Sequence, residues 1–309
     1  MNVAAAAERL ARYAHPTPVV QSLLLSRELG CTLFVKNETV SPIASFKWRG
    51  ALNDILRAKD QRGVVTSSTG NHGQGVVWAA RTTGVAAHVF LPVGANPIKR
   101  AKIELLGATI HDIGYDLDAA KELAQAFARE EGLRFIDDGE SEGVIEGAAT
   151  VGLELTQQLE QMDVAYVPMG SGSLASGVAR AIKEAHPHAR VVAVQSSGSP
   201  AMVESFRAQR PIERPADTIG DGLICRVPAE LALRELLHYV DDAVLVSDDE
   251  LLHAARSMIL GAQILVEPSG AAGLAAARRW RDDVRGKHVV VIATGANITA
   301  EVFRRLHAL

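Results

Sequence analysis

Lys47 lies within Ser45-Phe46-Lys47-Trp48-Arg49-Gly50-Ala51, where a helical pattern begins after a proline turn at Pro42. The macrodipole disfavours a cation at a helix N-terminus, which favours the neutral amine that a Schiff-base nucleophile needs. A surface lysine in a first turn would read the same way, so the segment alone decides nothing. The stretch Ser67-Ser68-Thr69-Gly70-Asn71-His72-Gly73-Gln74-Gly75 follows the strand-like run Val64 to Thr66 and precedes the helical run Val76 to Arg81. Such a strand-to-helix turn aims backbone N–H groups and hydroxyls at an anion, for instance a substrate carboxylate; a polar capping turn is the plainer alternative. In Met169-Gly170-Ser171-Gly172-Ser173-Leu174, hydroxyls alternate with glycines between a strand and a helix, as in a phosphate cradle. Gly170, Gly172 and Ala175 also satisfy the dinucleotide fingerprint G-x-G-x-x-A. A nicotinamide site wants Asp or Glu at the end of the next strand, where Val191 to Val194 instead runs into Gln195, so the dinucleotide reading fails. A fourth segment, Ile292-Ala293-Thr294-Gly295-Ala296-Asn297, ends a buried strand in a hydroxyl and a glycine turn.

The elements that must position these residues are legible as short β-branched runs with helical stretches between them. The runs are Leu33 to Val35, Val64 to Thr66, His88 to Leu91, Thr109 to His111, Val164 to Val167, Val191 to Val194, Val244 to Val246 and Val289 to Ile292. Their alternation predicts an α/β fold with parallel sheet and helical crossovers. Ser247 and Glu250 form a capping box opening a helix from Asp248 to Leu260, and Gly84 and Gly107 close two others. No low-complexity linker or fixed-period repeat occurs, and the number of strands favours two lobes with a ligand cleft between them.

Composition narrows the function. The 309 residues are 48% hydrophobic, 22% charged and 5% aromatic, with a net charge of -4. That balance gives no basic field to hold nucleic acid and points to a small ligand. The two cysteines, Cys31 and Cys225, lie in no metal or disulfide spacing, and the opening MNVAAAAERLARYA lacks the pattern of an export signal, so a reducing cytoplasm is expected. No apolar run approaches the roughly 20 residues of a membrane helix.

Taken together and in this order, the four segments resemble the fold-type II pyridoxal-phosphate family of threonine and serine dehydratases and serine racemase. Thr17-Pro18, Lys36 to Glu38, Gly220-Asp221-Gly222 and Glu267-Pro268-Ser269-Gly270 extend the resemblance over nearly the whole chain. It implies a two-lobed, tryptophan synthase beta-like α/β fold with parallel-rich sheets: residues 1–62 and 140–309 as a large cofactor-binding domain and 63–139 as a small mobile one. It implies pyridoxal 5'-phosphate held by Lys47 as a Schiff base, with Lys47 then serving as base at the substrate's α carbon. Phe46 would pack on the ring and Asn71 would bond its 3-oxygen. Gly170, Ser171, Gly172, Ser173 and Leu174 would bind the phosphate, Thr294 would face the pyridine nitrogen, and Glu267 would lie nearby. Ser68, Thr69, Asn71 and His72 would surround the substrate carboxylate. A homodimer is implied as well.

The departures from the family pattern bear on substrate. Ala44 stands where a glycine usually precedes Ser-Phe-Lys, Ser41 where Gln is common, and two serines replace glycines of the phosphate loop. Thr69 occupies the position of the serine that racemases of the family use as a second catalytic base, which keeps racemisation open as an alternative. The stretch Gln195 to Ser199 has no carboxylate for a hard cation, so no metal is expected there. The sequence stops soon after Asn297, so a regulatory domain is not expected. A neutral Thr294 cannot keep the pyridine nitrogen protonated as a carboxylate would, which weakens the electron sink and favours prompt loss of a β leaving group. The expected activity is dehydration of a small 3-hydroxy amino acid, such as threonine or serine, to a 2-oxo acid and ammonia. Hydroxyaspartate, phenylserine or a hydroxyectoine-derived compound are variant substrates.

Overall fold

A computed structural model describes residues 1–58, 62–95 and 97–309. Among the described residues ten strands form two sheets: β1 (Val19–Gln21), β2 (Thr32–Asn37), β3 (Gly63–Thr66), β4 (Ala86–Leu91), β5 (Thr109–Asp112), β6 (Arg134–Phe135), β7 (Val164–Pro168), β8 (Arg190–Ser196), β9 (Asp242–Val246) and β10 (His288–Ala293). The larger sheet has the order β1-β2-β10-β7-β8-β9 and the smaller β5-β4-β3-β6. Every pairing is parallel except that of β1 with β2. All eight runs read as strands are strands. β1 and β6, of three and two residues, were not foreseen.

Strands buried on both faces explain the near-continuous apolar runs. In the larger sheet Val289 and Val291 face one core with Tyr166, Val192 and Val194. Their neighbours Val290 and Ile292 face the other with Ala165, Val167 and Ala193. The smaller sheet divides likewise, Val64 and Val89 on one side and Val65 and Phe90 on the other. Trp48, Leu52 and Ile55 of the helix Lys47–Arg57 join the core of Val64 and Val89, so the helix carrying the candidate nucleophile is fastened to the smaller sheet by its apolar face.

The helix Glu142–Gln158 packs between the helices Lys47–Arg57 and Ser173–Ala185. Glycines allow the close approach. A Cβ on Gly147 would lie 2.3 Å from the Arg49 carbonyl oxygen, and one on Gly177 2.7 Å from that of Ile145. The spacing between Lys47 and the glycine–serine loop is therefore set backbone to backbone.

The helix start at Ser247 has the foreseen capping box. That helix ends at Ser257, where a π-helical turn, Met258–Ala262, continues the chain.

Candidate active site

Lys47 is the first residue of its helix, and the segment before it is held on both sides. The Ser41 hydroxyl donates to the Ser45 carbonyl and accepts from the Ser45 N–H, each at 2.8 Å. The Phe46 N–H donates to the Thr294 carbonyl at 3.0 Å, tying this segment to the end of β10. Ala44 has φ +51, a left-handed conformation that costs an L-residue and suits glycine, which explains the glycine usual at this place. Beneath the helix, Arg49 is buried between Glu38, at 2.8 Å, and Glu154, at 2.6 Å; Glu154 also takes Lys36. This cluster anchors the turn that presents Lys47. The Lys47 amine lies 4.8 Å from the centroid of the Phe46 ring and pairs with the carboxylate of Asp138.

One cleft is lined by Phe46, Lys47, Thr294 and the Gly170-to-Leu174 loop, together with Gly222 and Ser269. The loop runs from the end of β7 into the helix Ser173–Ala185, whose N-terminus faces this space. Gly172 has φ +98, and a Cβ on Gly170 would lie 2.6 Å from the Gly222 carbonyl oxygen, so both positions require glycine. The Ser171 and Ser173 hydroxyls both donate to Asp138, the latter at 3.1 Å. Burial works against charge on Asp138. Lys47, His72 and the Ser171 hydroxyl outweigh it and hold the carboxyl far below the usual carboxylate range.

The Ser67-to-Gly75 turn opens the helix Asn71–Thr83, and a Cβ on Gly75 would lie 2.9 Å from the Lys47 carbonyl oxygen. The turn thus packs directly on the lysine. The Asn71 amide donates to Glu267 Oε1 at 2.7 Å and accepts from the Asn297 amide at 2.7 Å. The Asn297 N–H donates to Glu267 Oε2 at 2.8 Å, and Ser269 to Oε1 at 3.3 Å. Burial, with the Asp221 carboxylate nearby, pushes the Glu267 carboxyl up to about 7 against the pull of these donors. His72 is buried, its Nε2 3.2 Å from the Ile136 carbonyl and its Nδ1 3.5 Å from Asp138 Oδ1. The Ser68 hydroxyl accepts the Gly70 N–H at 3.2 Å within the turn, and Thr69 is half-buried beside it.

Phe46, Lys47, Thr294 and the glycine–serine loop thus share one cleft, and Ser269 links it to the Glu267–Asn71 pair. Sequence reasoning passed over Asp138 and Asn297. Asp138 follows β6, the shortest strand; its signal was the Asp137-Asp138 pair after the apolar Phe135-Ile136, at the strand end where parallel sheets place their sites. Asn297 lay inside a quoted segment without a role. Among the described residues no cluster of three metal-ligating side chains occurs.

An amine facing a glycine–serine loop at a helix N-terminus, across a cleft floored by an aromatic ring, is a donor set that fits pyridoxal phosphate. The family model described as pyridoxal-phosphate dependent enzyme matches residues 10–295. The chain is 34% identical to the L-threonine ammonia-lyase of Thermotoga maritima over 99% of its own length and 77% of that protein's. It is 33% identical to a biosynthetic L-threonine dehydratase of Pasteurella multocida, over 94% of this chain and 58% of the relative. Among solved structures, maize serine racemase superposes with a TM-score of 0.92 at 31% identity, covering 99% of this chain and 95% of that one. The processed threonine deaminase isoform 2 of Solanum lycopersicum gives 0.92 at 28%, over 97% and 89%. With the lysine, the loop and the threonine of β10 in one cleft, the chain belongs to the pyridoxal-phosphate-dependent enzymes of this family.

Proposed function

We propose that the protein is an ammonia-lyase that dehydrates a small 3-hydroxy amino acid of the threonine or serine type to a 2-oxo acid and ammonia. The observation that carries this reading is the neutral hydroxyl residue Thr294 in the same cleft as Lys47 and the glycine–serine loop. Bound pyridoxal phosphate supplies an electron sink for the charge released at the substrate's α carbon. Lys47 would hold the cofactor's carbonyl, and its amine, once free, would be the base for the α proton. Thr294 donates or accepts a hydrogen bond but carries no charge, so the sink stays weak and loss of the β-hydroxyl is the faster outlet. The Cα–H and Cβ–O bonds break, water leaves, and hydrolysis of the resulting enamine gives the oxo acid and ammonia. Gly170, Gly172 and the Ser171 and Ser173 hydroxyls would hold the phosphate, Phe46 would pack on the ring, and Asn71, steadied by Glu267 and Asn297, would orient its 3-oxygen. Ser68, Thr69 and His72 receive the substrate carboxylate. The names of the Thermotoga and Pasteurella relatives support the same assignment.

We read residues 63–139 as a small lobe that moves on the remainder, because the smaller sheet is built wholly within them. The two unpaired cysteines favour a cytoplasmic location. Leu23, Leu24 and Leu260, exposed on neighbouring elements, support self-association as a homodimer. No helix among the described residues is long and apolar enough to cross a membrane.

The test is incubation with L- and D-3-hydroxy amino acids, following ammonia and 2-oxo acid, with Lys47→Ala as control. Oxo acid that disappears in the control is the expected result. Inverted amino acid without oxo acid would replace this reading by a racemase in which Thr69 is the second base.

A further inference from the structure

Asp138 has four polar neighbours, and in the proposed reaction each of them has another duty. Lys47 and Ser171 meet its Oδ2, while Ser173 donates to Oδ1 at 3.1 Å and His72 Nδ1 lies 3.5 Å from the same oxygen. Only 20% of the side chain reaches solvent, so water does little to stabilise the charge. Nor can the residue withdraw. Asp137 Oδ1 accepts the N–H groups of Gly139, at 3.0 Å, and Glu140, at 3.3 Å, and its other oxygen pairs with Lys121 at 2.5 Å. Glu140 in turn accepts the N–H groups of Glu230 and Leu231 at the start of the helix Glu230–Tyr239. Gly139 is wedged so closely that a Cβ would lie 2.4 Å from the Ala229 Cβ and 3.1 Å from the Ser171 carbonyl oxygen. The loop is bolted on both sides, and its carboxylate stays in the cleft.

With the cofactor bound, Lys47 would be engaged at its carbonyl, and Ser171 and Ser173 would turn their hydroxyls to its phosphate. Asp138 would then keep His72 but lose three hydrogen-bonding partners, an unfavourable state for a mostly buried anion when nothing compensates it. A substrate that brings a positive charge relieves this arrangement, and one that brings a second negative charge worsens it. Asp138 contacts both the loop assigned to the phosphate and His72 of the turn assigned to the substrate carboxylate. It therefore stands within reach of what a small amino acid carries beyond its β carbon.

We propose that Asp138 is a specificity-determining residue that selects a 3-hydroxy amino acid whose side chain ends in an ammonium group, over threonine or serine and against hydroxyaspartate. The hydroxyl in this substrate class rests on the dehydratase reading; the ammonium rests on Asp138.

The experiment titrates the cofactor-loaded protein with 2,4-diaminobutyrate, 2-aminobutyrate and aspartate, which share a backbone and lack the β-hydroxyl, and follows the change in the cofactor's visible absorbance. Wild type binds the diamino acid at least about tenfold more tightly than 2-aminobutyrate, with aspartate weakest, and Asp138→Asn brings the three within about threefold of one another. Equal affinities in wild type overturn the proposal, as does a cation preference that survives in Asp138→Asn. Should that variant fail to load cofactor, the wild-type order decides. Because none of these compounds is eliminated, the result is independent of turnover: charge selection without oxo acid from any 3-hydroxy amino acid would sink the dehydratase reading and leave Asp138 in its role.

Discussion

Glu267 has three donors on its two oxygens, which favour the anion, but burial and Asp221 prevail and push its carboxyl up to about 7 from the 4.5 of a free glutamate. The folded chain therefore holds this proton more tightly than the unfolded one. The stability it contributes is fully present below about pH 4.5 and is lost as the pH rises through 7, a difference on the order of 3 kcal/mol at full effect. Glu267→Gln cannot ionise, so its melting temperature relative to wild type is expected to climb between pH 5 and pH 8. Parallel curves over that range would show that the donors, not burial, govern the group. The partners that make this carboxylate consequential were only half visible in the sequence. Asn71 and Glu267 stand in quoted motifs, but nothing local says that they meet across 196 positions or that Asn297 closes the triangle. Asp138 was hidden for a different reason: a carboxylate gains its meaning here from Lys47, 91 positions away.

At the scale of elements, the sequence was most readable where local pattern and tertiary demand agree. Eight β-branched runs became strands because both faces of the sheets are buried, and the capping box at Ser247 formed because it satisfies N–H groups within its own turn. β1 and β6 escaped notice because two or three residues show no period, and only pairing with a neighbouring strand defines them. The glycines of Glu142–Gln158 were equally silent, since a helical glycine reads as a weakness until a second helix is laid across it. Gly147 is the sharpest case, with the Arg49 carbonyl carbon and the Gly50 Cα both 2.7 Å from where its Cβ would be. Backbone cannot yield as a side-chain tip does. Gly147→Ala is expected to force the lysine helix away from the helix behind it, at about 1–3 kcal/mol in a urea titration. Because the same displacement moves Lys47 relative to the glycine–serine loop, cofactor retention on dialysis should fall in that variant. Full retention at unchanged stability would mean that the helices slide apart without altering the site.

Below the cleft the Lys47–Arg57 helix shares a core with the smaller sheet, but across the mouth of the cleft the segments around the two sheets meet through polar contacts. Arg226 reaches Asp116, at 3.3 Å, and Asp118, Lys99 pairs with Asp221, and Lys102 donates to Asn297 at 3.0 Å. These groups are wholly or partly exposed, and ion pairs of this kind contribute only about 0.2–1 kcal/mol each, screened by salt. Weak ties would suit the moving lobe proposed above, because a stronger interface would trap one state. If the contacts hold the closed arrangement, removing one should tax substrate binding and leave the fold's stability nearly untouched. Arg226→Gln is expected to raise KM about two- to fivefold, the span of one such pair, with its urea midpoint within error of wild type. Raising ionic strength should lift the KM of wild type toward that of the variant, since salt weakens the pair that the variant lacks. A variant KM equal to wild type at low salt would place the closing force elsewhere, in the substrate's own contacts with the Ser67-to-Gly75 turn.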